Sequence, residues 1–367
     1  MPAAPNQHLL IISPTAPPEV CGVSDYALQT ATALQGLYST IQLGVERLPK
    51  SPATTGGFRV TPWKQLLAQT GPQGSYDVLL NYTPTSYTWS GLAVSLLNAL
   101  QRFKKAHPSN QVFTFFHETW NGSSELRPHH ALQARLTKWS MQQIGELSRG
   151  VSVVNAEQQR KLELLLHRDN IHMNVIGSNI LPAYPEAGLH SSRQPGVWLI
   201  FGLAHTRLWT LQAHLPLLQD MAARGVLRQL RAIGPTDTTY AQQELELGRT
   251  TLGADIFTQV GALKPEEVSE EMLHAEAALV GLNVDGLRKS GTFAALAAHA
   301  VPIICSVDPT LDEPPGHVFF QPEEVQAQPD ILRSTLGEKR RQQLHTWFWQ
   351  TRSWEAIGRS MRAWMQA

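Results

Sequence analysis

The sequence predicts an α/β protein made of two Rossmann-like domains, each with a parallel sheet that helices cover on both faces. Short, continuous apolar runs alternate with segments of helical periodicity along the chain, which is typical of buried parallel strands. A stretch rich in Pro, Gly and Ser, LPAYPEAGLHSSRQPG at residues 181–196, interrupts this alternation near the middle. The length of 367 residues also exceeds what one hydrophobic core usually supports. We therefore expect two domains joined by a linker.

In the first half, apolar runs predict strands, most of them followed by a loop and a helix. The predicted strands are residues 9–12, 77–81, 112–116, 151–154 and 173–176. The loop after the first strand, PPEVCGVSDY, contains Gly22, and Ser24 is expected to cap a helix over residues 24–37. A second helix is expected near residues 92–105.

The second half repeats this arrangement without visible sequence repetition. Its predicted strands are residues 197–201, 230–233, 256–260, 277–282 and 301–305, and a helix is expected over residues 293–299. Ligands of open parallel sheets bind beyond the carboxyl ends of the strands. Two such sheets facing each other would hold a ligand in a cleft between them, and this is the predicted architecture.

Composition excludes several classes of protein. Lys plus Arg and Asp plus Glu balance at 30 each, so the chain lacks the overall positive field of a nucleic-acid-binding protein. The two cysteines, Cys21 and Cys305, lie far apart, which favours a reducing compartment over a disulfide scaffold. Neither a signal peptide nor a spanning run of ~20 apolar residues is visible. The dinucleotide and P-loop fingerprints are also absent. We expect a cytoplasmic protein.

Several motifs, in this order along the chain, resemble the glycosyltransferases of family 4, which have the GT-B fold. They are CGVSDY, YDVLLNYTPTSY, TFFHETW, NVIGSNI, LIFGLAH, RAIGP, FTQVGAL, DGLRKSGTFAALAAHAVPII and RSWEAIGRSMRAW. The resemblance implies an acceptor-side domain over residues 1–182 and a donor domain over residues 183–345. Residues 346–367 would form a helix that crosses back to the first domain. It also implies transfer of a sugar from a nucleotide-diphosphate sugar with retention of anomeric configuration, without a metal or another cofactor.

The best candidate for binding the donor diphosphate is the segment Arg288-Lys289-Ser290-Gly291-Thr292. Two cations stand beside a turn that begins a predicted helix, and free N–H groups at a helix start bind anions. Arg would offer a planar fork to phosphate oxygens, and Lys a point charge. From the residues alone, a solvated Arg-Lys pair at a helix N-cap is the alternative.

The resemblance extends to further site residues at predicted strand ends. On the donor side these are Gly202, His205, Arg207, Gly234 and Leu263. On the acceptor side they are Gly22, Val23, Tyr82, Glu118, Ser178 and Asn179. His117 is the candidate catalytic residue, in contact with the donor sugar or the reacting centre. Gly22 as a simple turn residue, His117 as an ordinary loop histidine and Glu118 as a solvated carboxylate are the alternatives.

Two departures from the family pattern open a second interpretation. Members usually carry a pair of glutamates in the donor segment, and counting back from Pro302 places Leu287 and Ala295 at those positions. The chain could therefore be a non-catalytic GT-B partner that binds nucleotide or glycan and supports an active glycosyltransferase. A sugar-nucleotide epimerase with the same fold is a third alternative.

The acceptor is a glycan, a lipid-linked molecule or a small molecule, and the sequence does not separate these. The basic stretch Arg102-Phe103-Lys104-Lys105 ends a predicted helix and allows peripheral contact with the inner face of a membrane. A solvated helix face is the simpler interpretation of that stretch.

Overall fold

The computed structural model describes residues 8–19, 21–48, 54–70, 75–120, 128–236 and 238–367. The chain divides into two compact units. The first unit comprises Met1–Val175 together with Trp354–Ala367, and the second comprises Ile176–Ser353.

Within the described residues, the first unit contains an eight-stranded sheet in the order β3-β4-β2-β1-β5-β6-β7-β8. Neighbouring strands are parallel except β3 and β4, which form an antiparallel pair. The strands are β1 (His8–Ser13), β2 (Thr40–Val45), β3 (Thr54–Thr55), β4 (Phe58–Pro62), β5 (Tyr76–Tyr82), β6 (Gln111–Phe116), β7 (Gly150–Val153) and β8 (His172–Met173). The helices are α1 (Gly22–Ala33), α2 (Trp63–Ala68), α3 (Val94–Ala106), α4 (Pro128–Leu147) and α5 (Ala156–Leu166).

The central strands are those that the apolar runs predict. Leu9, Leu10, Ile11 and Ile12 of β1 are all at most 1% exposed, because helices cover both faces of a parallel sheet. The strands β2 and β4 were not predicted. Strand β2 begins with exposed Thr40 and half-exposed Ile41 and Gln42, and β4 contains exposed Arg59, so TIQLGV and FRVTP lack a continuous apolar run.

Helix α1 begins two residues earlier than predicted, at Gly22, with Cys21 in the capping position. The prediction that Ser24 is the N-cap is therefore wrong. Ser24 lies in the first turn, where its buried hydroxyl accepts a hydrogen bond from the Thr15 N–H (3.3 Å). This contact ties the first turn of α1 to the loop that follows β1.

Within its described residues, the second unit contains a five-stranded parallel sheet in the order β11-β10-β9-β12-β13. The strands are β9 (Gln194–Phe201), β10 (Gln229–Ile233), β11 (Phe257–Gly261), β12 (Ala275–Leu279) and β13 (Ile303–Ile304). The helices are α6 (Ala187–His190), α7 (Ala204–Ala213), α8 (Leu215–Ala223), α9 (Thr239–Leu252), α10 (Pro265–His274), α11 (Val284–Arg288), α12 (Gly291–Ala298), α13 (Pro322–Ala327) and α14 (Thr335–Thr351). Short 3-10 turns occupy Gly316–Val318 and Pro329–Arg333.

Apolar side chains from both faces of this sheet build two clusters. One joins Leu199 and Ile233 to α10, α12 and α14, and the other joins Trp198 and Leu230 to α8 and the 3-10 turn at Pro329–Arg333. Alternate residues of a strand point to opposite faces, so β9 and β10 contribute to both clusters. The predicted doubly covered parallel sheet is confirmed.

The last helix, α15 (Trp354–Gln366), packs in the first unit. A β-carbon built on Gly358 would lie 2.8 Å from the Ala33 carbonyl oxygen, so α15 lies directly against the end of α1. Among the described residues, no helix combines the length and the apolar composition that crossing a bilayer requires.

The unit boundaries, after Val175 and before Trp354, differ from the predicted ones at 182/183 and 345/346. The predicted second boundary would cut through α14, whose residues pack against α12 within the second unit. The Arg352 guanidinium, just beyond α14, donates to the Ile176 carbonyl (3.3 Å), which holds the segment after residue 175 in the second unit.

Candidate functional site

The strand order of the second unit reverses between β9 and β12, because the chain builds outward from β9 through β10 and β11 before it returns to β12. At such a reversal the loops after the two strands diverge and leave a crevice that binds ligands. The loop after β9 contains Gly202, and the loops after β12 lead to α12.

Three of these loop residues lie close together: Gly202 follows β9, Gly234 follows β10 and Thr292 lies at the start of α12. A β-carbon built on Gly202 (φ 133°) would lie 3.2 Å from Thr292 Oγ1, so the start of α12 approaches the end of β9. A β-carbon on Gly234 (φ 140°) would lie 2.1 Å from the Gly202 carbonyl oxygen, which only glycine permits. The structure thus brings together three of the predicted donor-side residues.

Helix α12 begins beside Gly202, and the backbone N–H groups of its first turn are the next feature of this site. Ser290 is its N-cap and accepts a hydrogen bond from the Phe293 N–H (3.0 Å). Gly291 is exposed, and the nearest atom to a β-carbon built on it would be the Gly177 carbonyl oxygen at 3.9 Å. The first turn of a helix has N–H groups without intrahelical partners and carries the positive end of the dipole. An anion can therefore approach the backbone at Gly291.

The two cations before α12 differ in their surroundings. Lys289 is exposed and forms no ion pair with any described residue. Arg288 is half-buried; its Nε donates to the Glu313 carbonyl oxygen (3.0 Å) and its Nη1 lies 3.9 Å from Asp285. Among the described residues no group of three or more His, Cys, Asp or Glu side chains is arranged to hold a metal ion. Lys289 is the more available positive group at this edge.

Arg352 supports this turn, a role that the sequence did not reveal. It is 1% exposed, its Nη1 donates to the Arg288 carbonyl oxygen (2.8 Å) and its Nη2 pairs with Glu313 (3.1 Å). The guanidinium also lies 5.1 Å from the ring centroid of Trp347. Burial lowers the pKa of Arg352. The sequence placed Arg352 in the terminal-helix motif, and no local signal pointed to the Arg288–Lys289 turn.

Arg207 corrects a prediction. The sequence placed it against the donor phosphates, but its side chain is fully buried and forms an ion pair with the equally buried Glu244 (2.7 Å). The same guanidinium donates to the carbonyl oxygens of Gly202 (2.6 Å) and Pro235 (3.1 Å). Arg207 therefore links the loops after β9 and β10 from the protein interior, where its guanidinium is not accessible to a phosphate.

The other two donor-side candidates lie at the predicted edge. His205 is half-buried in the first turn of α7, with its ring 5.1 Å from that of Trp209. Leu263 is half-buried two residues beyond β11 and lines a groove of about 490 Å³ on one face of the sheet. Both positions accord with the predicted strand ends.

Leu287 and Ala295, which occupy the positions of the family's glutamates, both belong to the hydrophobic core of the second unit. They are 0% and 1% exposed, among side chains such as Phe293 and Leu296. A carboxylate at either position would be buried among apolar groups, which is costly without a partner. The two departures are thus accounted for by packing in this chain.

Ser178 and Asn179 were predicted on the acceptor side, but they belong to the second unit. Ser178 is 1% exposed, and its hydroxyl donates to the Ile180 carbonyl and accepts from the Ile180 N–H. Asn179 is exposed. The neighbouring Gly177 lies close to Gly291, so this segment packs beside the start of α12 within the second unit.

In the first unit the strand order reverses between β1 and β5, and the loop after β1 leads to Gly22. Gly22 is exposed at the first position of α1, and no atom lies within 4 Å of a β-carbon built on it. Its φ is outside the left-handed region, so the backbone does not require glycine there. Val23 is half-buried beside it. The turn-residue interpretation of Gly22 lacks structural support.

Gly22→Val is accordingly expected to leave the fold intact while it lowers turnover sharply, because a branched side chain would block approach to the backbone. The melting temperature and kcat/KM measure the two effects, and Gly22→Ala should give an intermediate activity. Unfolding of the valine variant, or full activity in it, would contradict this interpretation.

His117 follows β6 and is fixed by its neighbours. Its Nε2 lies 2.9 Å from Asn81 Oδ1, while Asn81 Nδ2 donates to the Ile12 carbonyl (3.4 Å). Since Oδ1 can only accept, Nε2 carries the proton and Nδ1 has a free lone pair. The ring packs against Phe115 at 4.0 Å. Burial lowers the pKa of His117 to about 3, so the imidazole is neutral at physiological pH.

This lowered pKa predicts an acid-sensitive contribution to stability. Below about pH 6.5 the unfolded chain binds a proton at His117 that the folded chain refuses, so stability falls as pH drops from about 6.5 towards 3. Between pH 7 and pH 5 the loss is on the order of 1–2 kcal/mol. His117→Gln should remove it, as urea unfolding at both pH values would show. Equal pH slopes for the two proteins would contradict the neutral state of His117.

Tyr82 corrects a second prediction, because it is a core residue. It is 0% exposed, its ring stacks on Tyr87 at 5.7 Å, and Phe116 packs against its edge. Its hydroxyl has no partner among the described residues, and burial raises its pKa. At the end of a doubly covered strand, the alternate side chains still point into the core. Tyr82 therefore does not line the acceptor side.

Glu118 is exposed and lines a pocket of about 190 Å³ beyond β5 and β6. The pocket combines polar groups with one aromatic wall, and its other lining residues are Pro84, Thr85, Thr119, Trp120, Gln133, Ala134 and Thr137. Its volume lies below the roughly 300–1,000 Å³ of sites for drug-sized ligands, so a fragment the size of one small ring fits it best.

No family model matches the sequence. The search of curated proteins likewise returned no match.

Solved structures do resemble the chain over nearly its whole length. Sucrose-phosphate synthase from Thermosynechococcus elongatus is 16% identical and has a TM-score of 0.64, with 98% of each chain covered. Anabaena HepE in complex with UDP is 11% identical, with a TM-score of 0.60 over 97% of this chain and 99% of that one. A putative UDP-N-acetylglucosamine 2-epimerase from Listeria monocytogenes is 10% identical, with a TM-score of 0.53 over 99% and 96%. The resemblance establishes that this chain has the GT-B fold that its motifs predict.

Proposed function

We propose that the chain is a glycosyltransferase that moves a sugar from a nucleotide-diphosphate sugar to an acceptor hydroxyl. The observation that carries this proposal is the meeting of Gly202, Thr292 and the open start of α12, with exposed Lys289 beside it. Backbone N–H groups and a free ammonium at the reversal point of a parallel sheet suit a diphosphate. The similarity to solved GT-B transferases supports the same conclusion.

The donor would bind to the second unit with its diphosphate at the start of α12. As the bond from the sugar to the diphosphate breaks, negative charge grows on the leaving phosphate. Positioned N–H donors and the Lys289 ammonium would stabilise that charge more in the transition state than in the ground state. We propose that they do so without a divalent ion and that the anomeric configuration is retained.

The acceptor would bind to the first unit. Gly22 leaves open space at the N-terminus of α1, and the neutral His117 offers Nδ1 as a hydrogen-bond acceptor that could orient a hydroxyl group. The pocket beside Glu118 supplies a carboxylate, an amide and hydroxyls beside the Trp120 ring, which suits the hydroxyl-rich edge and apolar face of one sugar ring. We therefore favour a glycan acceptor over a lipid or other small molecule.

Cys21 and Cys305 are both free, which suits the reducing cytoplasm, and we place the reaction there. A lipid-linked acceptor would bring the protein to the inner membrane face, and a partner glycosyltransferase could share the product. Flotation with liposomes and size-exclusion chromatography test these two associations.

The experiment that tests the proposal is a screen of UDP-, GDP- and ADP-sugars by thermal shift and by release of the nucleoside diphosphate. One donor should raise the melting temperature and be hydrolysed slowly without acceptor, with equal rates in EDTA and in added Mg²⁺. If none of these donors binds or is turned over, the proposal fails. Loss of turnover in EDTA would instead overturn metal independence alone.

Two alternatives have specific support. The Listeria structure shares the fold and is described as a putative epimerase, so interconversion of the donor sugar without acceptor would favour that activity. The lack of a carboxylate at Leu287 and Ala295 is the basis for the second alternative, a non-catalytic partner that would bind a nucleotide without turning any sugar over. Product analysis from the same screen separates both from a transferase.

A further inference from the structure

A cluster of three ring side chains lies at the carboxyl edge of the second unit's sheet; Trp209 and Tyr240 are exposed and His205 is half-buried. The His205 ring lies 5.1 Å from that of Trp209 and 6.0 Å from that of Tyr240, measured between centroids. Trp209 is 53% exposed and Tyr240 is 48% exposed. Leu203, which precedes α7, is 59% exposed in the same loop.

Packing within the unit does not account for this cluster. Single exposed apolar residues are common, whereas a contiguous exposed patch, here Trp209 and Tyr240 on either side of His205, is typical of a binding surface. Within the part of the chain that the structure describes, the polar atoms of His205, Trp209 and Tyr240 form no hydrogen bond. The Trp209 and Tyr240 rings are exposed, and the polar atoms of the cluster remain available to a ligand.

The cluster shares its two loops with the diphosphate site. His205 follows Gly202 by three residues in the first turn of α7, and Tyr240 lies in the first turn of α9, beyond Gly234 at the end of β10. Gly202 and Gly234 are in direct contact, and Arg207 ties their loops together through the Gly202 and Pro235 carbonyls. A ligand with its phosphates at Gly202 would thus extend to the rings within about two turns of helix, on the order of 10 Å.

Building on the proposed function, we infer that His205, Trp209 and Tyr240 form the platform for the nucleobase of the donor. A nucleobase is flat and polarisable, and aromatic side chains bind it by stacking on its face. Stacking tolerates different bases, while the free nitrogens of His205 can bond to the polar edge of the ring. In this arrangement the start of α12 and Lys289 bind the charged diphosphate, and the aromatic cluster binds the base.

The test compares ligands with and without a base on the full chain. Titration calorimetry would measure binding of UDP, GDP, ADP and inorganic pyrophosphate to the wild type, Trp209→Ala, Tyr240→Ala and Trp139→Ala. Trp139 is an exposed tryptophan of the first unit and serves as the matched control. Each platform variant should bind the preferred nucleotide on the order of tenfold more weakly, since one stacked base contributes roughly 1–3 kcal/mol. Pyrophosphate affinity and the Trp139 variant should match the wild type.

Unchanged nucleotide affinity in both platform variants would overturn the inference, as would an equal loss for nucleotide and pyrophosphate. If Trp209→Ala leaves nucleotide affinity intact but changes the elution volume in size-exclusion chromatography, the cluster is a protein contact and the inference fails. If the wild type binds none of the three nucleotides, the proposed function itself fails. That result differs from all the others because it appears before any substitution is made.

Discussion

Lys289→Ala is expected to lower kcat/KM by roughly 100- to 1,000-fold while leaving the melting temperature within about a degree of the wild type. A charged group that stabilises a leaving phosphate acts mainly in the transition state, and loss of one such positioned donor costs on the order of 10²–10³ in rate. Lys289 is exposed and pairs with no described residue, so the folded state does not depend on its charge. Steady-state kinetics and thermal unfolding measure the two quantities separately.

Two controls sharpen this prediction. Lys339→Ala removes another exposed lysine of the second unit, on α14, and should change neither rate nor stability. Lys289→Arg keeps the charge and should recover part of the activity, because guanidinium also binds phosphate. Wild-type kcat/KM in Lys289→Ala would show that the diphosphate binds elsewhere.

Much of the fold could be predicted because continuous apolar runs mark central parallel strands directly. The runs LLII, DVLLN and VFTFF all became central strands, since both faces of such strands are buried. The strands β2 and β4 escaped prediction because their exposed positions carry polar residues. A one-dimensional pattern does not distinguish a half-exposed strand of this kind from a loop.

The site was predictable at the level of loops but not of side chains. Gly202 and Gly234 follow strands of the second unit and His117 follows a strand of the first, as the apolar runs predict, because the parallel strands of each sheet bring their carboxyl ends to one edge of that sheet. Whether a residue at that edge points outward or inward depends on register and packing. Tyr82 and Arg207 point inward, and each contacts a buried partner more than 30 residues away, Phe116 for Tyr82 and Glu244 for Arg207.

Arg207→Met is expected to destabilise the protein, in contrast to the substitution of Lys289. It would leave Glu244 buried without its cation, and loss of one partner from a buried ion pair costs about 3–5 kcal/mol. The Gly202 and Pro235 carbonyls would lose a donor as well. For a unit of this size the melting temperature should fall by on the order of 10 °C.

The double variant Arg207→Met/Glu244→Leu separates this structural role from direct binding of phosphate. Replacing both partners by apolar residues removes the uncompensated charge, so most of the lost stability should return. Gln259 would lose the Glu244 carboxylate to which it donates (2.7 Å) but would keep its bond to the Ala241 carbonyl. If Arg207 has only a structural role, the affinity of the double variant for pyrophosphate should lie within a few-fold of the wild-type affinity. A single Arg207→Met variant that keeps wild-type stability but loses pyrophosphate affinity would instead return Arg207 to the phosphate site, as the sequence first predicted.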